Sequence, residues 1–194
     1  MILFVGAMHE ELKDIIANDK ALVIETGIGK VNAAMQLTKA ISTHQVSAIY
    51  NVGFAGASKH FNVGDMILIE EAMYHDFDLT FFGYEKGQVP NCPQKFKSDQ
   101  TLMKNIKNIY PQIKSSMIYT GDYFMTEAVD QPYVVDMEAT ALYQVANHFQ
   151  IPIVSIKIIS DIIGMDEHFE SYKKFETTEG SKLISLIYQK LFKG

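Results

Sequence analysis

The sequence contains no arginine, and all 17 of its basic residues are lysines. Arginine supplies the planar donor fork with which proteins grip phosphate, carboxylate and guanine, so functions that need that fork are disfavoured. The formal charge of −6 at pH 7, without a cluster of lysines, also argues against a surface for nucleic acid. We therefore expect no nucleic-acid partner.

Cysteine and long apolar runs are scarce as well. Cys92 is the one cysteine, so no disulfide can form within the chain and an oxidising compartment is not implied. The longest apolar stretches, 1–8 and 151–159, are much shorter than a membrane span, and the second contains Lys157. The first lacks the basic region of a secretory signal and runs directly into acidic residues. These absences predict a soluble, cytoplasmic protein without a membrane partner.

What is present is the composition of an ordinary globular protein. The 194 residues are 47% hydrophobic and 21% charged, which is far from the composition of disordered chains. A chain of this length buries most of its apolar surface and needs neither disulfides nor a metal to fold. Without a linker or an internal repeat, residues 1–194 are expected to form one domain.

Short apolar runs alternate with helical patterns along the chain, and several of the runs end at glycine. The predicted strands are 1–5, 21–25, 48–52, 66–70, 116–120, 134–137 and 151–160. The predicted helices are 9–17, 31–43, a segment capped by Ser98 and ending near Tyr110, 138–149 and 171–192. This alternation indicates an α/β fold with a largely parallel central sheet.

The residues that follow the predicted strands are candidates for a binding site, because ligands of open α/β sheets gather at the carboxyl ends of the strands. These residues are Met8, Glu11, 27–30, 53–56, Phe124, Met125, Met137, Glu138, Ser160 and Asp161. Three of them, Glu11, Glu138 and Asp161, are acids without a basic cluster beside them. Such a rim suits a small neutral ligand made of a polyol and a base better than a phosphorylated one.

Each candidate also has a purely structural interpretation. Glu11 and Glu138 lie at predicted helix starts, where an acid complements the helix dipole. Gly27-Ile28-Gly29 lacks the third glycine of a dinucleotide fingerprint, so no nicotinamide cofactor is indicated. The histidines show no metal-ligand spacing. Asp161 is harder to dismiss, because burial of a carboxylate at the end of an apolar strand is costly without a partner.

An ordered set of motifs covers nearly the whole chain. The motifs are Gly6-Ala7-Met8-x-Glu10-Glu11, Gly27-Ile28-Gly29-Lys30-Val31, Asn51-x-Gly53-x-Ala55-Gly56, Val63-Gly64-Asp65, Tyr74-His75-Asp76-x-Asp78, Phe82-Gly83-Tyr84-Glu85, Gly87-Gln88-x-Pro90-x-Cys92-Pro93, Gly121-Asp122, Asp136-Met137-Glu138-Ala139-Thr140 and Ile159-Ser160-Asp161. Together they resemble the 5′-methylthioadenosine/S-adenosylhomocysteine nucleosidases of the nucleoside phosphorylase superfamily. The resemblance implies a single-domain three-layer α/β/α sandwich with a central mixed, largely parallel twisted sheet.

The resemblance further implies cofactor-free, metal-free hydrolysis of the N-glycosidic bond of an adenine thionucleoside, releasing adenine and a thioribose. Glu11 matches the general base that activates water. Asp161 matches the acid that protonates adenine N7, and Ser160 matches its supporting hydrogen-bond group. The acid/base pattern requires Asp161 to hold a proton near neutral pH, which partial desolvation favours, whereas Glu11 should stay ionised.

The remaining site residues also follow from the resemblance. Met137 and Glu138 match residues that hold the ribose, Phe124 the ring that stacks on adenine, and the Met125 backbone the groups that read its edge. Ile28 matches a residue near the 5′-alkylthio pocket. The expected substrate-binding set is completed by Met8, Phe54, Ala55, Gly56, Asp136 and Lys157. A homodimer is implied, in which each subunit donates to its neighbour's pocket a loop, 79–90, with Leu79, Phe82 and Pro90.

The chain departs from the family pattern at four places. Phe54 stands where the family usually has a small hydroxyl residue, and Lys157 where it usually has arginine beside the base. The segments 12–21 and 126–135 are shortened. Three alternatives therefore stay open: a phosphorolytic relative, a nucleosidase of the aminodeoxyfutalosine type, and a nucleoside-binding protein that has lost catalysis.

Overall fold

Eight strands and six helices occur in residues 1–166 and 168–192, the part of the chain that the computed structural model describes. The strands are β1 (Ile2–Gly6), β2 (Ala21–Glu25), β3 (Ala48–Ala57), β4 (Met66–Tyr74), β5 (Phe96–Lys97), β6 (Lys114–Thr120), β7 (Val134–Asp136) and β8 (Ile153–Ile162). The helices are α1 (His9–Leu12), α2 (Lys30–Thr43), α3 (Gln100–Ile109), α4 (Ala139–Phe149), α5 (His168–Thr178) and α6 (Gly180–Leu191). A single 3₁₀ turn covers Thr80–Phe82.

The strands form one mixed sheet that closes on itself. The parallel pairs are β1–β2, β1–β3, β3–β8, β4–β6 and β6–β7, and the antiparallel pairs are β3–β7, β4–β5 and β4–β8. The five strands β3, β7, β6, β4 and β8 are thereby joined in a closed ring. The mixed character of the sheet agrees with the sequence analysis, which does not anticipate the ring.

The ring closes because β3 and β8 are each ten residues long, which lets each strand pair with more than one neighbour. Strand β3 pairs with β1, β7 and β8, and strand β8 pairs with β3 and β4. The first half of β3 pairs with β1, whereas Gly56 and Ala57 at its end pair with β7. Strand β8 pairs with β3 along one edge, and its residues 155–158 pair with β4 along the other edge. Bulges in β3–β8 and β4–β6 bend the strands toward closure.

Alternate residues of the central strands pack into two apolar clusters. Leu3 and Val5 of β1 pack with α2 and α4, whereas the intervening Phe4 packs with α6. Tyr50, Val52 and Phe54 of β3 belong to the second cluster. The α6 residues in the same cluster are Ile184, Ile187 and Tyr188. Burial on both faces explains why these strands are continuous apolar runs rather than alternating ones.

Several element boundaries differ from the sequence prediction. The helix expected at 9–17 ends at Leu12, and β3 continues past residue 52 because the 53–56 segment stays paired with β8. Asp99 rather than Ser98 caps α3: the Oδ1 atom of Asp99 accepts the backbone N–H groups of Thr101 and Leu102, both at 2.9 Å. Ser98 is buried instead, with its hydroxyl bonded to the core. The helix expected at 171–192 is two helices, α5 and α6, separated at Glu179.

The two shortened segments are largely irregular, and the described helices are not of the membrane-spanning kind. Residues 13–20 and 121–133, which span most of the two shortened segments, contain neither helix nor strand. In the described part of the chain, no helix has the length and apolar character needed to cross a membrane.

Candidate active site

A cavity of about 350 Å³ opens where β1, β3, β7 and β8 end. Thirteen of the residues that the sequence analysis assigned to the site line it: Met8, Glu11, Ile28, Phe54, Ala55, Gly56, Phe124, Met125, Asp136, Met137, Glu138, Ser160 and Asp161. Lys157 lies outside this lining and is buried behind it. Leu79, Phe82 and Pro90 do not line the cavity of this chain.

Glu11 is held by three backbone N–H groups. The N–H groups of Ala7 and Met8 donate to its Oε2 atom at 2.7 and 3.0 Å, and the N–H of Phe54 donates to Oε1 at 2.8 Å. The Met8 bond also makes Glu11 part of a capping box at the start of α1, so this residue has a structural role as well. A Cβ atom at Gly53 would lie 2.5 Å from Oε1, so glycine is required for this close approach.

A second group of charges surrounds Glu11. The Nζ atom of Lys157 lies 2.9 Å from Oδ2 of Asp136, and both side chains are at most 2% exposed. Asp136 also accepts the hydroxyl of Thr120 at 2.7 Å and the N–H of Ala139 at 2.9 Å. Lys157, which stands where the family usually has an arginine beside the base, forms its ion pair with Asp136 at the end of β7.

Burial and the neighbouring charges shift the pKa values of Glu11 and Lys157 in opposite directions. Burial holds the pKa of Glu11 above its usual value, although the charge of Lys157 and the three N–H donors act in the opposite direction and favour the ionised form. Burial alone would lower the pKa of Lys157, but Asp136, Glu11 and Glu138 reverse this effect and hold it above its usual range. The lysine therefore remains an ammonium among three acids.

Glu138 closes the same side of the cavity. Its Oε1 atom accepts the backbone N–H of Gly29 at 2.7 Å, which ties the β2–α2 turn to the start of α4. Gly29 has a φ of +93°, a conformation that side chains rarely adopt. Burial, and then the charge of Asp136, raise the pKa of Glu138 to about 8, although Lys157 and the Gly29 N–H act in the opposite direction. Glu138 is thus mostly protonated at neutral pH.

Asp161 reaches the cavity from a bulge in β8. Ala55 pairs with Ile159 and Gly56 pairs with Asp161, so Ser160 is the extra residue of the bulge. The Ser160 hydroxyl lies 2.6 Å from Oδ1 of Asp161 and 3.2 Å from the Ala55 carbonyl. A Cβ at Gly56 would lie 3.0 Å from Oδ2 of Asp161. The bulge and the glycine together let a carboxyl enter the site from a buried strand.

An aromatic wall completes the cavity. The ring of Phe124 meets the rings of Phe169 and Tyr172 edge to face, with centroids 6.3 and 5.8 Å apart. Sequence reasoning missed Phe169, Tyr172 and Lys173 of α5, as well as Tyr123, all of which line the cavity. The i, i+3 spacing of Phe169 and Tyr172 before Phe175 was the signal for an aromatic helix face.

A polar clamp holds the two loops on either side of the cavity. The Nζ atom of Lys30 lies 2.6 Å from Oδ2 of Asp76, and the Lys30 N–H donates to Oδ1 of Asp122 at 2.8 Å. The Asp122 N–H donates in turn to Asp76 at 2.9 Å. Burial alone would raise the pKa of Asp76, but the bonds from Lys30 and Asp122 hold it below its usual value. The clamp joins the turn that carries Ile28 to the loop that carries Phe124.

Comparison with known proteins identifies the family. The model of the phosphorylase superfamily matches residues 7–189. A 5′-methylthioadenosine/S-adenosylhomocysteine nucleosidase of Bacillus cereus (strain G9842) is 37% identical over 201 residues, covering 94% of this chain and 86% of the relative. The chain belongs to this nucleosidase family within the phosphorylase superfamily.

Solved structures of the family share the fold. The 5′-methylthioadenosine/S-adenosylhomocysteine nucleosidase of Streptococcus pneumoniae with the transition-state inhibitor MT-ImmA has a TM-score of 0.86 at 27% identity, covering 98% of this chain and 97% of that one. The nucleosidase of Colwellia psychrerythraea 34H in complex with adenine has a TM-score of 0.83 at 28% identity, covering 97% and 94%. The nucleoside phosphorylase-like fold predicted from the motifs is therefore confirmed.

The ring of Phe54 lies in the core, whereas the 79–90 loop exposes aromatic rings. The ring of Phe54 packs edge to face on Phe175, 5.5 Å between centroids, within the apolar cluster that includes α6. The segment expected to serve a neighbouring subunit exposes aromatic rings instead of packing them onto its own cavity: Phe81 is 93% exposed and Phe82 is 70% exposed.

Proposed function

We propose that this protein hydrolyses the N-glycosidic bond of 5′-methylthioadenosine, S-adenosylhomocysteine or both, releasing adenine and a thioribose. The observation that carries the proposal is that two buried carboxyl groups, Glu11 and Asp161, enter one cavity from different strands and with different partners. Glu11 is surrounded by donors and a cation, whereas Asp161 is paired with a serine hydroxyl. Unequal environments of this kind divide a pair of carboxyls into base and acid.

The reaction needs both roles. Cleavage of the bond between C1′ and N9 leaves positive charge on the ribose and moves an electron pair into adenine. Asp161, steadied by Ser160, protonates N7 so that adenine departs as a neutral molecule. Glu11 takes a proton from the water whose oxygen bonds to C1′, and its charge favours the oxocarbenium-like transition state.

The other lining residues bind and orient the substrate. Glu138 and Met137 contact the ribose hydroxyls, and a Glu138 that carries a proton can both donate and accept a hydrogen bond there. Phe124 stacks on adenine and the Met125 backbone reads its edge. Ile28 borders the 5′-alkylthio group, while Met8, Phe54, Ala55 and Gly56 shape the wall.

The active unit proposed here is a homodimer. The exposed rings of Phe81 and Phe82 lie on the same segment as Leu79, and Val31 and Met35 of α2 are also more than half exposed. A second copy of the chain would cover these apolar groups, while its Leu79, Phe82 and Pro90 complete the 5′ side of the neighbouring cavity. Burial of such apolar surface is the main driving force of association.

We propose that residues 1–194 form a single three-layer domain that acts in the cytoplasm. The five parallel pairs among eight, and apolar clusters fed by alternate strand residues, support a layered and largely parallel arrangement around the ring.

A substrate panel tests the proposal. Methylthioadenosine, S-adenosylhomocysteine and aminodeoxyfutalosine are incubated with the enzyme, with and without phosphate, and the released adenine is quantified. Adenine from either thionucleoside without phosphate supports the proposal. A strict phosphate requirement, cleavage of aminodeoxyfutalosine alone, or binding without any release would contradict it, and each outcome selects one of the three alternatives.

A further inference from the structure

The first residue of α6, Gly180, lies outside the cavity but makes a tight fit with Phe54. A Cβ atom at Gly180 would lie 2.3 Å from Cζ and 2.4 Å from Cε1 of the Phe54 ring, and 3.1 Å from Cε1 of Phe175. Contacts below 3.0 Å do not occur between real atoms of this kind, so only glycine leaves room for the ring. Gly180 thus forms a notch that receives Phe54.

The notch matters because Phe54 is also one of the residues that hold Glu11. Its backbone N–H donates to Oε1 of Glu11 at 2.8 Å, and the preceding Gly53 approaches the same oxygen too closely to tolerate a side chain. The Phe54 ring is buried and fixed from one side by Phe175. The ring lies between Gly180 and Phe175, so a shift that the Phe54 side-chain torsions do not absorb moves the backbone N–H that positions the carboxylate.

The next residue of α6 contacts the other segment that carries Glu11. The hydroxyl of Ser181 donates to Oδ2 of Asp14, and that of Ser185 donates to the Asp14 carbonyl at 2.7 Å. Asp14 follows α1, the single turn that contains Glu11. The first turn of α6 thus touches both sides of the cradle around this carboxylate.

We propose that Gly180 and Ser181 are positioning residues for Glu11, acting through Phe54 and Asp14 respectively, although neither lines the substrate cavity. The proposal rests on the proposed function, because its main readout is adenine release.

The test combines Gly180→Ala with a compensating change. The added methyl group should displace Phe54 and weaken its bond to the Glu11 carboxylate, which lowers kcat by about 10- to 100-fold. Affinity for adenine, measured by equilibrium dialysis, should change by less than about threefold, because the base-binding wall is untouched. The acid limb of the kcat profile should move to higher pH, because loss of an N–H donor raises the pKa of Glu11.

The double variant Phe54→Leu with Gly180→Ala removes the collision and should recover the kcat of Phe54→Leu alone. Ser181→Ala should lower kcat several-fold, whereas Lys182→Ala, exposed on the same turn, is the matched control and should behave as wild type. If Gly180→Ala does not fold, the double variant and Ser181→Ala still carry the test. Folding is checked by circular dichroism at the assay temperature.

The outcomes separate this inference from the proposed function. A wild-type enzyme that releases no adenine overturns the proposed function. An active wild type, with a folded Gly180→Ala variant of unchanged kcat and pH profile, overturns the role of Gly180. A loss that Phe54→Leu does not relieve shows that the effect does not pass through Phe54 and likewise overturns the inference.

Discussion

Replacement of Lys157 by methionine removes the buried ammonium while nearly preserving side-chain volume. Lys157 and Asp136 are an ion pair at 2.9 Å with almost no exposure, so the substitution leaves a buried carboxylate whose remaining donors are Thr120 and the Ala139 N–H. Loss of one partner of such a pair costs about 3–5 kcal/mol of the free energy of unfolding. For a chain of this size, that loss lowers Tm by roughly 6–20 °C.

Urea and thermal unfolding followed by circular dichroism measure this loss. The matched control is Lys114→Met, which breaks an exposed pair with Asp65 and should cost less than about 1 kcal/mol. Addition of Asp136→Asn to Lys157→Met removes the unpaired charge and should restore most of the stability. A Lys157→Met variant within about 1 kcal/mol of wild type would refute the reasoning, as would a double variant no more stable than the single one.

Lys157→Met should also change the pH dependence of kcat. Lys157 lowers the pKa of both Glu11 and Glu138, so its loss raises both values. Because Glu11 must be ionised to activate water, the acid limb of kcat should move to higher pH in Lys157→Met, even where the protein is fully folded. An unshifted acid limb would mean that Lys157 does not act on the base.

Three other predictions follow from the site. Glu11→Gln and Asp161→Asn should each lower kcat by about 10²- to 10⁴-fold in a protein that still folds, although Glu11→Gln replaces one acceptor of a backbone N–H by a donor and should cost about 1–3 kcal/mol of the free energy of unfolding; near-normal adenine release from either variant would refute its acid/base role. Because the pKa of Glu138 is about 8 in the folded protein and near 4.5 ordinarily, the folded state binds the extra proton, so stability should fall as pH rises across that window. Glu138→Gln should flatten this dependence in urea titrations, and an unchanged slope would contradict the assignment. Sedimentation equilibrium should show a dimer that Phe82→Ser weakens, with a higher KM; a fully active wild-type monomer would rule out the shared pocket.

The candidate site was largely predictable because it depends on local sequence. Asp161 directly follows an apolar run and Glu11 comes shortly after one, and the rule that ligands gather at the carboxyl ends of strands brings such residues to one rim. Gly53 and Gly56 were visible as a glycine-rich segment, although their purpose, close approach to two carboxyl groups, depends on atoms far away in the chain.

Several of the missed features depend on tertiary contacts. Closure of the ring requires antiparallel pairs between strands that are distant in sequence, and strand periodicity carries no information on partners. The close fit of Gly180 against Phe54 joins residues that are 126 positions apart in the chain.

Hydrolysis of methylthioadenosine in ¹⁸O-labelled water, without phosphate, tests the central claim most directly. If Glu11 activates water for attack at C1′, mass spectrometry should find one ¹⁸O atom in the methylthioribose and none in the adenine, and Asp161→Asn should suppress both products together. Adenine release that depends on phosphate, or the absence of label at C1′, would contradict the account.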